Sequence, residues 1–430
     1  MIWLLALWLG LAGSVRADEL SLGDCLRRAQ SLSAQAKSGL IKEARARAAV
    51  QEARAGLLPQ LSAVGLFQQS NNPVIQVVDN NEAALRLTQD LSPFSPQWER
   101  ARQKEADFRA ESALQAANQQ DVALEIKTLY FSILRGLDEA ARLTEIEARL
   151  ENVRETMIPK YSVGRLPPFD AVKIRASLSA LARRRDFVAA QTDEDKETLA
   201  LMLGLKNGDS LSLRPLRAAP PAMPPTPDER TAAGDNPRLL ALQERIAAAE
   251  SGARAARRER YPDVRAGFDY GYMGNSGLFN LYPSANYPAN AYGSPLGWGY
   301  NASLSLSLPL WDWGGISARV AQNERDAALA RANREIERQK LAANLSGLRL
   351  RAEAALADES RMTALLSETR SAAEVQTRLY RRGATGVLEA VDAWNTWLDA
   401  MITEREDYYE YLLDLARIEN ALGRDTVSYE

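Results

Sequence analysis

The sequence of 430 residues contains no histidine, a single cysteine at position 25 and a formal net charge of only −3. Because histidine is absent, neither a Ser-His-Asp triad nor an HExxH zinc site can form. One cysteine cannot form an intramolecular disulfide, and we expect Cys25 to be a small, buried residue on a helix face. The basic residues are dispersed among acidic ones, so nucleic acid is not an expected partner. We therefore predict a protein that is not an enzyme and has no cofactor or metal site.

Long apolar runs are also scarce. Residues 2–12 form one, but it is shorter than the roughly 20 residues that a transmembrane helix needs. Val15 and Ala17 follow at the small-residue positions that precede a cleavage site. We therefore interpret residues 1–17 as a signal peptide that is removed before Asp18. No other stretch approaches 18 consecutive apolar residues, so we expect an exported mature chain without a helical membrane span.

The sequence does contain one pattern twice, at a constant spacing of 219 residues. The matched positions are a tyrosine, a glycine, an acidic residue and a Leu-Gly pair: Tyr161 and Tyr380, Gly164 and Gly383, Asp170 and Glu389, and 203–204 and 422–423. A constant spacing over such a length indicates internal duplication. Each copy interrupts a long helical pattern at a glycine, which predicts the tip of a helical hairpin. We expect two such hairpins in tandem.

Long helical patterns flank both predicted tips. Residues 20–58 are typical of one helix, which ends at Pro59 because proline cannot continue the helical ladder. Between Pro96 and Pro159 there is no proline, and apolar residues recur every 3.5 residues on average, which is typical of a coiled coil. A return helix over about residues 169–204 follows the first tip, and the second half repeats this order.

Four other segments alternate apolar and polar residues, which predicts β-strands with one apolar face. They start near Pro59, Glu82, Tyr261 and Tyr300. The clearest is YNASLSLSLPL at 300–310, where leucine alternates with serine. About ten residues per strand is long enough for a tilted strand that spans a membrane.

These patterns divide the chain into five parts. They are a signal peptide at 1–17, a first repeat at 18–205, a linker at 206–234, a second repeat at 235–424 and a C-terminal tail at 425–430. The linker contains the run APPAMPPTP, and such proline-rich segments are extended spacers. Each repeat contains a helix, two strands, a long helix, a tip and a return helix.

This order of parts resembles that of the TolC family of outer-membrane efflux channels. Three motifs carry the resemblance, which covers essentially the whole mature chain: LSLSLPLWDWGG at 304–315, YRRGATGVLEAVDAWNTWLDA at 380–400 and YYEYLLDLARIENALG at 408–423. The resemblance implies a mainly α-helical homotrimer, in which tandem-duplicated helical hairpins form an α-barrel, the periplasmic tunnel. Each chain would add four strands to a shared 12-stranded transmembrane β-barrel in outer-membrane lipid. The protein would then lie in the outer membrane of a Gram-negative bacterium, with a large periplasmic part.

The resemblance also implies a function in efflux transport. The protein would be the exit channel of a tripartite efflux or type I secretion system, a passive gated duct. A periplasmic adaptor protein would open it, and an inner-membrane pump would supply the energy. The alternative is a periplasmic coiled-coil scaffold without a membrane pore. The four strand patterns distinguish the two, because alternating leucine and serine favours a membrane barrel.

By resemblance, three groups of residues carry this function. Glu389 and Asp392, three apart on one helix face, match the acidic ring that constricts the periplasmic end of the pore. Asp170 and Tyr380 match positions that link neighbouring tips and hold the channel closed, and Thr385 stands where the family has a further arginine. The two tips would dock the adaptor, and they comprise Val163, Gly164, Arg165 and Leu166 together with Arg382, Gly383, Ala384 and Thr385.

Overall fold

The computed structural model describes residues 19–72, 76–162, 168–206, 208, 211–216, 220–224, 236–275, 297–424, 427 and 429. The predicted signal peptide and the first tip, Val163, Gly164, Arg165 and Leu166, lie outside these residues. The described helices are α1 Leu22–Leu32, α2 Ala34–Ala55, α3 Pro96–Ser162, α4 Pro168–Met202, α5 Pro237–Arg258, α6 Gly315–Arg382 and α7 Val387–Leu422. The described strands are β1 Gln60–Asn72, β2 Gln76–Asp90, β3 Asp263–Asn275 and β4 Gly297–Ser307. The mainly helical architecture with four strands is therefore confirmed.

The prediction of one continuous helix over residues 20–58 is wrong. Ser33 has an extended backbone (φ −62°, ψ 143°) and separates α1 from α2. Its hydroxyl accepts a hydrogen bond from the Ala36 N–H at 3.1 Å, which caps the start of α2. The side chain thus offers the backbone an alternative to the helical ladder. Cys25 is fully buried on α1, as predicted.

The chain forms two compact units. One unit, here called the sheet unit, comprises residues 41–113 and 238–336, and the other, the helical unit, comprises the remaining segments up to 40, 114–237 and 337–430. The sheet unit contains all four strands in one antiparallel sheet, in the order β1-β2-β3-β4. Strand β2 begins at Gln76, earlier than the predicted Glu82, because the pairing with β1 continues to Asn72 opposite Gln76.

The helical unit has two apolar cores. The larger contains Tyr130 and Phe131 of α3, both fully buried, with Cys25 and the C-terminal half of α7. The second contains Tyr380, Trp394 and neighbouring residues of α3, α4, α6 and α7. Among the described residues, no helix has an apolar stretch long enough to cross a membrane.

Candidate functional site

The sheet has one face that consists of apolar side chains. In antiparallel pairing, residues opposite one another point to the same face, and successive residues alternate between faces. Leu87 lies opposite both Leu61 and Phe268, and Phe268 lies opposite Ala302. The large residues of this face are 39% to 74% exposed, and they are Leu61, Leu85, Leu87, Phe268, Tyr270, Tyr272, Trp298, Tyr300, Leu304 and Leu306. An exposed apolar surface of this extent indicates contact with a membrane or another protein.

Aromatic rings on this face contact one another across the β3–β4 pair. The ring centroids of Phe268 and Tyr300 lie 6.2 Å apart, and those of Tyr270 and Trp298 lie 5.9 Å apart. Tyr272 contacts the same tryptophan edge-on at 6.4 Å. These contacts order the exposed surface without removing it from solvent.

The opposite face of the sheet is polar. Arg86 and Asp269 are register partners on β2 and β3, and Arg86 Nε donates to Asp269 Oδ1 at 2.7 Å. The Asp269 side chain is nearly buried, so the ion pair is held in a partly desolvated position. The same face carries Ser303 and Ser305 of β4. The sheet is therefore amphipathic, with one apolar and one polar surface.

The second predicted tip is a short turn between α6 and α7. The Gly383 N–H donates to the Tyr380 carbonyl and the Ala384 N–H to the Leu379 carbonyl, both at 2.9 Å, which is a Schellman motif. Gly383 has φ +78°, and a Cβ placed there would meet nothing within 4 Å. The backbone conformation, rather than a lack of space, therefore favours glycine.

The predicted break in the helical pattern at this tip is confirmed. Arg382 is the last residue of α6, and α7 begins at Val387 after the cap residue Gly386. Arg382, Gly383 and Ala384 are exposed, whereas Thr385 is half-buried. Their proposed role in docking an adaptor stays a prediction.

The structure brings the predicted latch residues together within one chain. Tyr380 lies in the last turn of α6 with only 2% of its surface exposed, and Asp170 lies in the first turn of α4. Burial, together with the negative charge of Asp170, raises the pKa of the Tyr380 phenol to about 12. The neutral phenol is thereby favoured beside the carboxylate. Whether the pair holds a channel closed stays a prediction.

Two further contacts close to this pair were not predicted from the sequence. The Arg381 guanidinium donates to the Asn152 side-chain oxygen at 2.8 Å, which ties the end of α6 to α3. The Trp394 indole N–H donates to the Thr377 hydroxyl at 2.8 Å in the buried second core. The tryptophans of the motif at 380–400 could have indicated the second contact, since a buried indole N–H requires a hydrogen-bond acceptor.

The predicted acidic pair lies at the start of α7. Glu389 and Asp392 are both exposed, three residues apart on one face of the helix. The Glu389 carboxylate lies beside the cap residue, because Oε2 would be 2.9 Å from a Cβ at position 386. A helix N-terminus stabilises such a negative charge. The two carboxylates remain accessible to solvent and to ions, and their place at a pore constriction stays a prediction.

The comparisons with known proteins agree with these features. Residues 230–424 match the model of the outer membrane efflux protein family. No curated protein matches the sequence. The resemblance to outer-membrane efflux proteins is therefore confirmed, and the match of the family model covers the second half of the chain.

Solved structures extend the likeness to both halves. The outer-membrane channel OprN has a TM-score of 0.83 and 18% identity, with 94% of this chain and 90% of that chain covered. A membrane protein from Pseudomonas aeruginosa has a TM-score of 0.83 and 17% identity, with coverages of 93% and 93%. The Campylobacter jejuni CmeC outer membrane channel has a TM-score of 0.81 and 15% identity, with coverages of 94% and 85%. At such low identity these likenesses establish the fold.

Among the described residues, no group of three or more cysteine, aspartate or glutamate side chains could hold a metal ion. The sheet unit offers an amphipathic sheet, and the helical unit offers a tip with charged residues.

Proposed function

We propose that the protein is the outer-membrane exit channel of a tripartite efflux or type I secretion system in a Gram-negative bacterium. The amphipathic sheet carries this proposal. Its apolar face suits lipid and its polar face suits a water-filled interior, which is the alternation that outer-membrane barrels require. The strands contain 13, 15, 13 and 11 residues, and about 9 to 11 suffice to cross a bilayer.

The sheet also supports assembly of several copies. Strands β1 and β4 are the two ends of the strand order within the described residues. Open sheet edges are not tolerated in the hydrocarbon region, so edge strands in lipid must pair with further strands. Three copies would provide the 12 strands of the proposed barrel, with the helices forming the periplasmic tunnel.

The second tip supports a gate in this channel. Tyr380 and Asp170 would hold the tip in its closed position, and the unpredicted Arg381–Asn152 bond would add to the restraint. The acidic pair would narrow the pore in the trimer and attract cations, because rings of carboxylates select for positive charge. A periplasmic adaptor would bind the exposed tips and open them, and an inner-membrane pump would supply the energy.

Conductance in a planar lipid bilayer tests the proposal. We expect the purified trimer to form cation-selective channels of low conductance. Block by added cations should weaken in a Glu389→Ala/Asp392→Ala variant, whereas Asp399→Ala, an exposed acid in the same helix, should leave block unchanged. Failure of the folded trimer to insert, with the protein in the soluble fraction of cells, would instead support a periplasmic coiled-coil scaffold.

Equal cation block in the wild type and the double variant, with channels present, would remove only the acidic pair from the constriction. The channel itself would stand. The two readouts thus separate the pore from the identity of its narrowest residues.

A further inference from the structure

A dense group of arginines lies at one end of the sheet, where the strands join their helices. The register places the start of β1 beside the end of β2, and the start of β3 beside the end of β4. Helices α3, α5 and α6 begin or end at the same end of the sheet. The arginines of this group, called the arginine cluster, are Arg100, Arg102, Arg254, Arg257, Arg258, Arg260, Arg265 and Arg319.

The arginine cluster has fewer acidic partners than positive charges. The buried carboxylate of Glu99 contacts Arg102, Arg254 and Arg258 at 2.9 to 3.0 Å. The Glu259 carboxylate contacts two more of the arginines, at 2.8 and 2.9 Å. Within the part of the chain that the structure describes, seven of the eight arginines contact four carboxylates, namely Glu99, Glu259, Asp263 and Glu324.

Two further acids nearby reduce the excess of positive charge without removing it. Asp90 accepts hydrogen bonds from serine groups, and Asp312 accepts from the backbone N–H groups of Gly314 and Ile316. Counting both, the cluster has eight positive charges and six negative partners among the described residues. Arg260 contacts the Ser317 hydroxyl at 3.0 Å rather than a carboxylate. The cluster therefore retains a net attraction for an anion.

The guanidinium groups are reachable from solvent. The side chains of Arg257 and Arg265 are 58% and 65% exposed. A cavity of about 320 Å³ opens beside the cluster, and its charged lining is balanced, with Arg100, Arg258 and Arg265 beside the acids Asp90, Glu259 and Asp263. Guanidinium binds phosphate through paired, charge-assisted hydrogen bonds, so a phosphate group suits the exposed guanidinium groups of the cluster rather than the cavity itself.

Large apolar residues are exposed at the same end of the sheet. Trp311 and Trp313, in the turn between β4 and α6, are 75% and 89% exposed and contact each other edge-on at 5.6 Å. Trp98, adjacent to Glu99, is also exposed, as is the ring pair of Phe94 and Tyr261. Tryptophan and tyrosine are enriched where the hydrocarbon region meets the headgroups. Aromatic residues and excess arginines at one edge fit a lipid surface better than a dissolved ion.

We propose that the arginine cluster binds the phosphate of anionic phospholipid headgroups, in the leaflet that faces the helices. This inference rests on the proposed outer-membrane function. Anionic lipid would join α3, α5 and α6 at the base of the sheet, and Trp311 and Trp313 would lie among the headgroups. The channel would thus prefer phosphatidylglycerol to phosphatidylethanolamine, which has no net charge.

The test is the lipid preference of the full protein in detergent. Phosphatidylglycerol and phosphatidylethanolamine are added in equal amounts, and the retained lipid is counted by native mass spectrometry. The cluster variant is Arg257→Gln/Arg260→Gln/Arg265→Gln. Its matched control is Arg27→Gln/Arg331→Gln/Arg361→Gln, which removes three exposed arginines outside the cluster. We expect the preference for phosphatidylglycerol to fall roughly tenfold or more in the cluster variant and to persist in the control.

Several results would overturn this inference. They are equal retention of the two lipids by the wild type, an unchanged preference in the cluster variant, and an equal loss in the control. Displacement of the lipid by inorganic phosphate at equal concentration would assign the cluster to free phosphate instead. If the cluster variant does not fold, the lipid preference of the wild type is measured at 1 M salt instead. A preference that persists at this concentration is not electrostatic and would overturn the inference.

The lipid assay and the bilayer assay can fail separately. If channels form but no lipid preference is found, the headgroup site is contradicted and the exit channel is still supported. A preference for phosphatidylglycerol without any channels would remove the pore, and would leave a lipid-binding surface on the sheet unit.

Discussion

The two ends of α7 are held in different ways. At its C-terminal end, the buried Glu419 carboxylate accepts from Lys127 Nζ at 2.7 Å, from the Tyr429 hydroxyl at 2.8 Å and from the Val427 N–H at 2.5 Å. At its N-terminal end, Val387, Ala390 and Val391 pack in the second apolar core, and the turn that precedes them is largely exposed. One end is restrained by several charged hydrogen bonds in a core, and the other by apolar packing next to an exposed turn.

This difference indicates which end can move. A buried ion pair is costly to separate, because each charge would be left without compensation. A turn of four exposed or half-buried residues loses little stabilising free energy when it moves. The tip is thus the end of α7 that a partner protein could displace, as the proposed gate requires, while the other end stays anchored to α3.

Removing the lysine at the anchored end should have the largest effect. We expect Lys127→Met to lower the free energy of unfolding by about 3 to 5 kcal/mol, because Glu419 would be buried without its cation. Thermal or denaturant unfolding of the purified protein measures the loss. A second variant, Lys127→Met/Glu419→Gln, should recover much of it, since no unpaired charge remains. Wild-type stability of the single variant would contradict the anchoring role.

Replacing the glycine of the second tip should have an intermediate effect. We expect Gly383→Ala to cost about 1 to 2 kcal/mol, because a side chain disfavours the positive φ of this residue. The matched control is Gly347→Ala in the exposed middle of α6, which should be neutral or stabilising by about 0.5 to 1 kcal/mol. Unfolding midpoints compare the two. Equal shifts in both variants would mean that backbone conformation does not limit the tip.

Removing the phenol hydroxyl of the tip should have the smallest effect on stability, and it should depend on pH. The folded-state pKa of Tyr380 is about 12, above the ordinary value of about 10. The contribution of the neutral phenol to the free energy of unfolding is therefore complete below pH 10 and is lost as the pH rises through 12. We expect Tyr380→Phe to weaken the loss of stability in this alkaline window, and to change stability at pH 7 by about 1 kcal/mol or less.

Two observations check this prediction. If Tyr380 forms the latch, Tyr380→Phe should also raise the single-channel conductance, whereas Tyr300→Phe, an exposed tyrosine on the sheet, should not. An unchanged alkaline profile would mean that the buried phenol does not differ between the folded and unfolded states. An unchanged conductance would remove Tyr380 from the gate and leave its structural role.

Much of the fold could be predicted because the signals are local. The glycine at 383 and the helical patterns around it marked the second tip, and the alternation of leucine and serine marked β4. The family model covers only residues 230–424, whereas the likeness to solved channels covers both halves. The constant spacing of 219 residues predicts an internal duplication, and in both halves the described elements run from helix through two strands to two helices.

Other features could not be predicted from such patterns. A serine within a helical pattern, such as Ser33, is compatible with either a continuous helix or a cap, and the packing around it decides. The arginine cluster has no motif, because its members come from α3, α5, the segment that follows α5, β3 and α6. The latch pair was expected only through the family resemblance, since Asp170 and Tyr380 are far apart in the chain.

The sequence by itself determined the element types, the duplicated order, the second tip and the apolar alternation of the strands. These follow from side-chain period and from backbone preference, which act within a few residues. The tertiary structure decided which charges meet, as in Lys127 with Glu419 and Arg86 with Asp269, 292 and 183 residues apart. No local pattern specifies such a pair, because its energy depends on desolvation and geometry that exist only after the chain has folded.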